Sequence, residues 1–441
     1  MLRITVFTRY LSFVLRTKGI VGFFVRIGML VKRFDLSGKK VKRSILKIEQ
    51  IGRKYQYKPA LIIPAVILKR HHRILGYLSD STSEFGIHGY VHQSFKPLSM
   101  NEQITEIRKA KDVFKKFRLP TYGFRAPYLS CNNHTAEAIQ ENDLLWESDE
   151  TFIWNGFLNS RLPLSGKLMA NAVQLLYAPL DSQENIVIPR LQGETVCIPV
   201  TLPDDEILID RLGIKDSNNI EKIWSEMLDI ASQRGDILVL QLHPERFPIC
   251  KEVLENLLEK ALFSFQNVWI AGMSEVAEWW KQKRQFKFVF QNVSHKGYNI
   301  RCECTDRATI LGRNLFSKTS QAPFYQDYYI IEGREIFLES ENLQPCIGVH
   351  PKCSEMLLKF LEDEGFPYEV SDNHSKYSLF LDNYETFSRK DEMALLRRIE
   401  ESTNPLVRYW RWPDGMKSAF VTTHDLDCLT LTDFLYRAFG K

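Results

Sequence analysis

Between residues 41 and 285 the apolar positions switch repeatedly between two periods. KRSILKIEQIGRKY sets Ile45, Ile48 and Ile51 at helical spacing, whereas ALIIPAVIL (60–68) is the unbroken apolar run expected of a strand buried on both faces. A further helix precedes EFGIHGYVHQSF (84–95), which reads as a strand running into a loop. SMNEQITEIRKAKDVFKKF opens on Ser99, carries Gln103, and sets Ile104, Ile107 and Val113 on one side, a capped helix. Next come TYGFRAPYL as strand and loop, NHTAEAIQEND as helix, ETVCIPV as strand and NIEKIWSEMLDIASQRG as helix. DILVLQLHPERF reads as strand and loop, CKEVLENLLEKALFS as helix, and NVWIAGMSEVAEWW as strand and helix. Repeated strand–helix pairs predict a parallel α/β sheet closed as a barrel.

The pattern changes after the basic stretch KQKRQFKF (281–288). KFVFQNVSHKGYNIRCECTDRATILGRN and YYIIEGREIFLE alternate with period two, so a smaller β-rich unit is predicted from about 286. QPCIGVHPKCSEMLLKFLEDEGFPYEVSD reads as strand, helix, strand, and RKDEMALLRRIEES as a helix. The predicted organisation is therefore 1–40 as amphipathic N-terminal helices, 41–285 as the barrel, 286–403 as the accessory α+β unit, and 404–441 as a segment returning to the barrel.

The first 34 residues are rich in Phe, Val and Leu, but Arg3, Arg9, Arg16, Lys18 and Arg26 interrupt them, and no uncharged run approaches the roughly 20 residues of a bilayer span. Leu2, Val6, Phe13, Phe24, Ile27 and Val31 sit at amphipathic spacing. The plain expectation is docking on the protein's own core; the sharper one is peripheral contact with an anionic membrane surface. Overall, 58 basic against 54 acidic residues is too small an excess to imply a nucleic-acid partner. Eight scattered cysteines without C-x-x-C spacing are expected as free thiols in a reducing, cytoplasmic compartment.

His88 and His92 stand four apart, weak evidence by itself in a chain with ten histidines. SAFVTTHDLDCLT adds a strand ending in Asp425 and Asp427, and carboxylates at the C-terminal end of a barrel strand are where such barrels place chemistry. A surface Asp-rich turn is the bland alternative. Taken together, HGYVH, FRAPYL and LQLHPE, in that order with helices between them, and the aspartate pair resemble the motifs of the polysaccharide deacetylases, the NodB-homology or carbohydrate esterase family 4 type. The resemblance covers residues 41–285 and implies a distorted (β/α) barrel of the glycoside hydrolase/deacetylase type. In that family the aspartate motif precedes the histidines, whereas here it is C-terminal. Circular permutation explains this, the last 25 residues supplying the first strand; a second, truncated domain beginning at 405 is the rival explanation.

The resemblance implies a metal held by Asp427, His88 and His92, with zinc the default expectation, and an amide hydrolase acting on N-acetyl groups of a glycan. Asp425 is the general base, His243 the general acid, Arg125 the partner that keeps Asp425 ionised, and the Tyr128 backbone N–H an oxyanion donor. Asp149 is expected to support the arginine or the histidine, and Trp154 to wall the sugar site. Asp204 and Asp205 are an alternative carboxylate source. His71 and His72 are expected to be solvated, His134 to lie near a helix start, and His424 not to be a ligand. The missing signal peptide points to a lipid- or nucleotide-linked substrate. A non-catalytic glycan-binding protein on the same barrel is the competing reading.

Overall fold

The computed structural model describes residues 28–156, 173, 177, 179–263, 267–293, 297–315, 322–338 and 343–437. Leu2, Val6, Phe13, Phe24 and Ile27, the heart of the expected amphipathic helices, lie outside the described residues.

Nine strands form the central sheet: β1 (Ala60–Ile63), β2 (Glu84–Ile87), β3 (Thr121–Phe124), β4 (Trp146–Glu147), β5 (Arg190–Gln192), β6 (Thr195–Cys197), β7 (Ile237–Leu242), β8 (Val268–Ile270) and β9 (Ser418–Asp425). Their order is β7-β9-β1-β2-β3-β4-β6-β5, with β8 also paired to β9, and every pairing except the β5/β6 hairpin is parallel. The result is a mixed α/β fold around a curled, half-barrel parallel sheet. The strand latest in sequence is thus central. One edge of β9 runs along β7 from Ala419 to His424, and its other edge is shared by β8 at Ser418–Phe420 and β1 at Thr423–Asp425.

Helices between the strands cover the sheet: α1 (Lys39–Lys54), α2 (Ala65–Leu75), α3 (Met100–Lys116), α4 (Thr135–Gln140), α5 (Ser217–Arg234), α6 (Phe247–Phe263) and α7 (Met273–Lys283). The apolar run 60–68, expected as one strand, divides at Pro64: β1 ends at Ile63 and α2 starts at Ala65. Proline has no N–H for the ladder, while its fixed φ suits a helix start, and uniform apolarity cannot tell a buried strand from a buried helix. The predicted cap of α3 is present, the Glu102 carboxylate accepting from the Ser99 N–H (2.8 Å) and hydroxyl (2.7 Å). At the end of α5, Gly235 adopts φ +71°, where a Cβ would also stand 2.5 Å from the Trp410 indole.

Residues 287–409 add three small sheets and the helices α8 (Glu355–Glu364) and α9 (Arg389–Glu401). Strands 287–292, 298–303 and 335–338 are antiparallel, as their period-two pattern predicts; strands 344–349, 368–370 and 377–381 form a parallel sheet. Leu406–Tyr409 pairs with Ile310–Arg313, so strand pairing with this unit continues past residue 403. One apolar core runs from Ile62, Trp146 and Val239 through Trp279, Trp280 and Trp412 to Ile347 and Leu395, packing the unit onto the barrel.

A charged cluster lies beside that core. Fully buried Glu364 accepts from Arg408 Nη2 (2.7 Å) and from Arg411 Nε (3.0 Å) and Nη2 (2.7 and 2.8 Å). Burial alone would raise its pKa, but the two guanidiniums bring it from 4.5 to about 2. Glu364→Ala should cost about 3–5 kcal/mol in denaturant unfolding, because it takes from two buried guanidiniums their main carboxylate, leaving only Glu400 and Asp236 at 3.4 Å. The folded-state pKa is depressed, so the contribution is present above about pH 4.5 and is lost as pH falls towards 2; the gap between wild type and variant should close over that window.

Candidate active site

The C-terminal ends of five parallel strands converge on one face. Asp425 ends β9, His88 follows β2, Arg125 follows β3, Asp149 lies two residues beyond β4, and His243 follows β7. His92 is carried on the loop after β2, which turns at Gly89 with φ +74°; a Cβ there would stand 2.9 Å from the Val91 carbonyl oxygen.

His88 Nδ1 lies 2.7 Å from the Arg125 carbonyl oxygen, which can only accept, so Nδ1 carries a proton and Nε2 is the nitrogen that faces the site. That Nε2 is 3.4 Å from Asp427 Oδ1, and His92 Nε2 is 3.1 Å from the same oxygen. Burial, with the Arg437 guanidinium nearby, pushes the His92 pKa down to about 4, so this imidazole is neutral near pH 7. Asp427 Oδ1 is buried without a hydrogen bond, as is His92 Nδ1. Three potential ligand atoms, two imidazole nitrogens and a carboxylate oxygen, thus lie within 4.8 Å of one another. This donor set fits a divalent metal ion, with positions left open for water and substrate.

The second oxygen of Asp427 accepts from Arg437 Nη1 (2.5 Å), at the end of α10 (Leu431–Arg437). Although burial opposes ionisation, Arg437 and the imidazoles hold the Asp427 carboxyl well below the usual carboxylate range. Arg437 also donates from Nε to the Tyr128 hydroxyl (3.2 Å) and lies 5.0 Å from that ring's centre. Tyr128 (φ 63°) and Leu129 (φ 52°) form a left-handed turn that sets the Tyr128 ring edge-on to His92 at 4.5 Å.

Asp425 is gripped from both sides, Oδ1 accepting from Arg125 Nη1 (2.9 Å) and Oδ2 from Gln241 Nε2 (2.9 Å); Oδ2 is 4.0 Å from His88 Nε2. Arg125 is itself immobilised, with Nε on the Ser148 carbonyl (3.0 Å), Nη2 on the Ser148 hydroxyl (2.8 Å) and Nη1 on Thr423 Oγ1 (2.7 Å). Asp149 supports the arginine loop through its backbone, accepting from the Ala126 N–H at 2.6 Å, and burial lifts its pKa to about 6.

The Leu242–His424 register places His243 beside Asp425 on the neighbouring strand. Asp205 accepts from the His243 backbone N–H (2.7 Å) and from Nδ1 (2.6 Å), which leaves Nε2 as the working nitrogen. Burial disfavours a charged imidazole, but Asp205 outweighs it and carries the His243 pKa well above its ordinary value. Asp204 accepts from the Ile207 N–H at 2.7 Å. Together with His243 the two aspartates form a second cluster, apart from His88, His92 and Asp427. Asp205 is thus the partner of His243 rather than a substitute for Asp427; its place after an apolar strand was visible in VTLPDD, but its partner was not.

Other expectations shift. Trp154, one residue past the strand Thr151–Ile153, is buried in the apolar cluster that holds Leu202 and Trp224, so it does not wall a sugar site. His71 is not simply solvated: its Nε2 lies 2.7 Å from Asp433 Oδ2 in α10. His72 is exposed and His134 precedes α4 as expected. His424 is fully buried with neither ring nitrogen bonded, and burial pushes its pKa to about 3, which keeps it neutral. Gln241, Ser148, Thr423 and Arg437 belong to the site and carry no motif of their own.

Residues 35–145 match the sequence model of the family described as polysaccharide deacetylase. This segment is similar to part of a polysaccharide deacetylase domain. The match includes His88, His92, Arg125 and Tyr128 and stops short of His243, Asp425 and Asp427. Among solved structures, a Mycobacterium smegmatis protein assigned as a polysaccharide deacetylase aligns at 17% identity over 53% of this chain and 76% of its own, TM-score 0.41. A Pseudomonas aeruginosa PAO1 protein with the same assignment aligns at 12% over 52% and 70%, TM-score 0.40. A carbohydrate esterase family 4 pseudoenzyme from Bacillus anthracis aligns at 14% over 42% and 57%, TM-score 0.24. No curated protein sequence matches.

The His243–Asp205 pairing predicts a titration. In imidazole NMR spectra the His243 resonance of the wild type should titrate well above pH 6.5, and Asp205→Asn should move it downward; an unmoved midpoint would mean that Asp205 does not set it.

Proposed function

We propose that this chain is a metal-dependent hydrolase that removes the N-acetyl group of an amino sugar in a glycan or glycan precursor, using a circularly permuted deacetylase barrel. The observation that carries this reading is the convergence of His88, His92 and the unpartnered Asp427 oxygen beside Asp425. His88, His92 and Asp427 would hold a divalent cation, which when bound supplies Lewis acidity to water and to the acyl oxygen.

The remaining steps belong to the protein. Asp425, fixed between Arg125 and Gln241, takes the proton from the attacking water. The Tyr128 backbone N–H, in its left-handed turn, donates to the developing oxyanion. An amine leaves poorly unless protonated, and His243, charged through Asp205 and presenting Nε2, gives it a proton. Zinc is the expected ion, and the substrate carries N-acetylated sugar.

Purified protein supplied with zinc or cobalt should release acetate from an N-acetylglucosamine-containing glycan. Asp427→Ala should lose both bound metal and turnover, whereas Asp425→Asn should keep the metal and lose about 10²–10⁴-fold in kcat. Metal and activity both retained in Asp427→Ala would refute the site. Stoichiometric metal in the wild type with no acetate released from any amino-sugar substrate would instead support a glycan-binding protein.

A further inference from the structure

Basic charge is concentrated at one end of this chain. Residues 1–43 carry eleven Lys and Arg against the single acid Asp35, so the rest of the chain is net acidic although the whole is +4. Residues 1–27, outside the described part, contain five of these basic residues, four phenylalanines and no acid.

The described part fixes where this segment meets the fold. Arg33 Nη1 donates to Asp210 at 2.7 Å; Phe34 is buried, its ring 6.2 Å from that of Phe434 in α10; and the Asp35 carbonyl accepts from the Leu431 N–H at 3.1 Å. Gly38 packs on Leu429, two residues beyond Asp427. The same α10 sends Arg437 to Asp427, so residues 28–38 border the rim of the proposed metal site.

On this rim two apolar side chains face outward, Val31 at 53% and Leu36 at 76% exposure. Lys32, Lys39 and Lys40 are exposed around them, and Lys40 Nζ donates to the Val31 carbonyl. On the adjoining α2, Lys69 and Arg73 are exposed, and Arg70 reaches Asp433 at 3.5 Å. Apolar side chains interleaved with cations complement a bilayer, where the former enter the headgroup boundary and the latter meet anionic lipid. The aromatic and aliphatic content favours this over a nucleic acid, which would need the cations alone.

We propose that the exposed face of residues 28–43 docks this protein on an anionic lipid surface, with the rim of the metal site turned towards that surface. The inference is independent of turnover. Full-length protein should sediment with vesicles of phosphatidylglycerol and phosphatidylcholine in equal parts, and not with phosphatidylcholine alone, and raised salt should weaken the binding. Val31→Glu/Leu36→Glu and Lys32→Glu/Lys39→Glu alter only exposed positions; each pair should weaken binding at least about tenfold with circular dichroism unchanged. Asp427→Ala should bind vesicles like the wild type, which separates this proposal from the hydrolase reading. Protein left in the supernatant with anionic vesicles, a Val31→Glu/Leu36→Glu variant that binds as well as wild type, or release by duplex DNA at equal charge concentration would each overturn it.

Discussion

Everything in the proposed site depends on one strand insertion. β9 enters the parallel sheet between β7 and β1, and without it Asp425 and Asp427 would be absent from the face where His88, His92 and His243 emerge. The insertion is over-determined. All eight residues of β9 are buried, three strands hydrogen-bond to it, and the Arg125 guanidinium ties Thr423 and Asp425 to the end of β3. The contacts that hold the strand are therefore the same ones that orient the carboxylates.

The carboxylates at the site divide the work by environment. Asp427 offers one oxygen to the imidazoles and the other to Arg437, Asp425 is shared between Arg125 and Gln241, Asp205 serves His243, and Asp149 holds the Ala126 N–H. His88, Arg125, His243 and Asp425 sit at strand ends, whereas His92 is carried on the loop after β2 and Arg437 on α10. Residues 286–403 contact the barrel through the tryptophan-rich core and the Glu364 cluster, where two arginines offset the burial of one carboxylate.

Much of this architecture was legible from period alone. Strand and helix alternate between 41 and 285 as the apolar spacing says, and the strand-end positions of His88, Arg125, His243 and Asp425 followed from where each apolar run stops. Pro64 defeated the reading of 60–68 because both halves of that run are buried. Trp154 misled for the opposite reason: an aromatic after a strand looks like a site wall until the covering side chains are known. Asp205 needed three dimensions, since it lies 38 positions from His243, and Arg437, ten positions from Asp427, reaches it only through the placement of α10. His71 is the same case, bonded to an aspartate 362 positions away.

The most direct test is to locate the metal in crystals of the protein grown with zinc or cobalt, from anomalous scattering. The account predicts one strong peak at about 2.0–2.2 Å from His88 Nε2, His92 Nε2 and Asp427 Oδ1. A peak at Asp204, Asp205 and His243 instead, or density placing Asp427 away from the histidine pair, would contradict it.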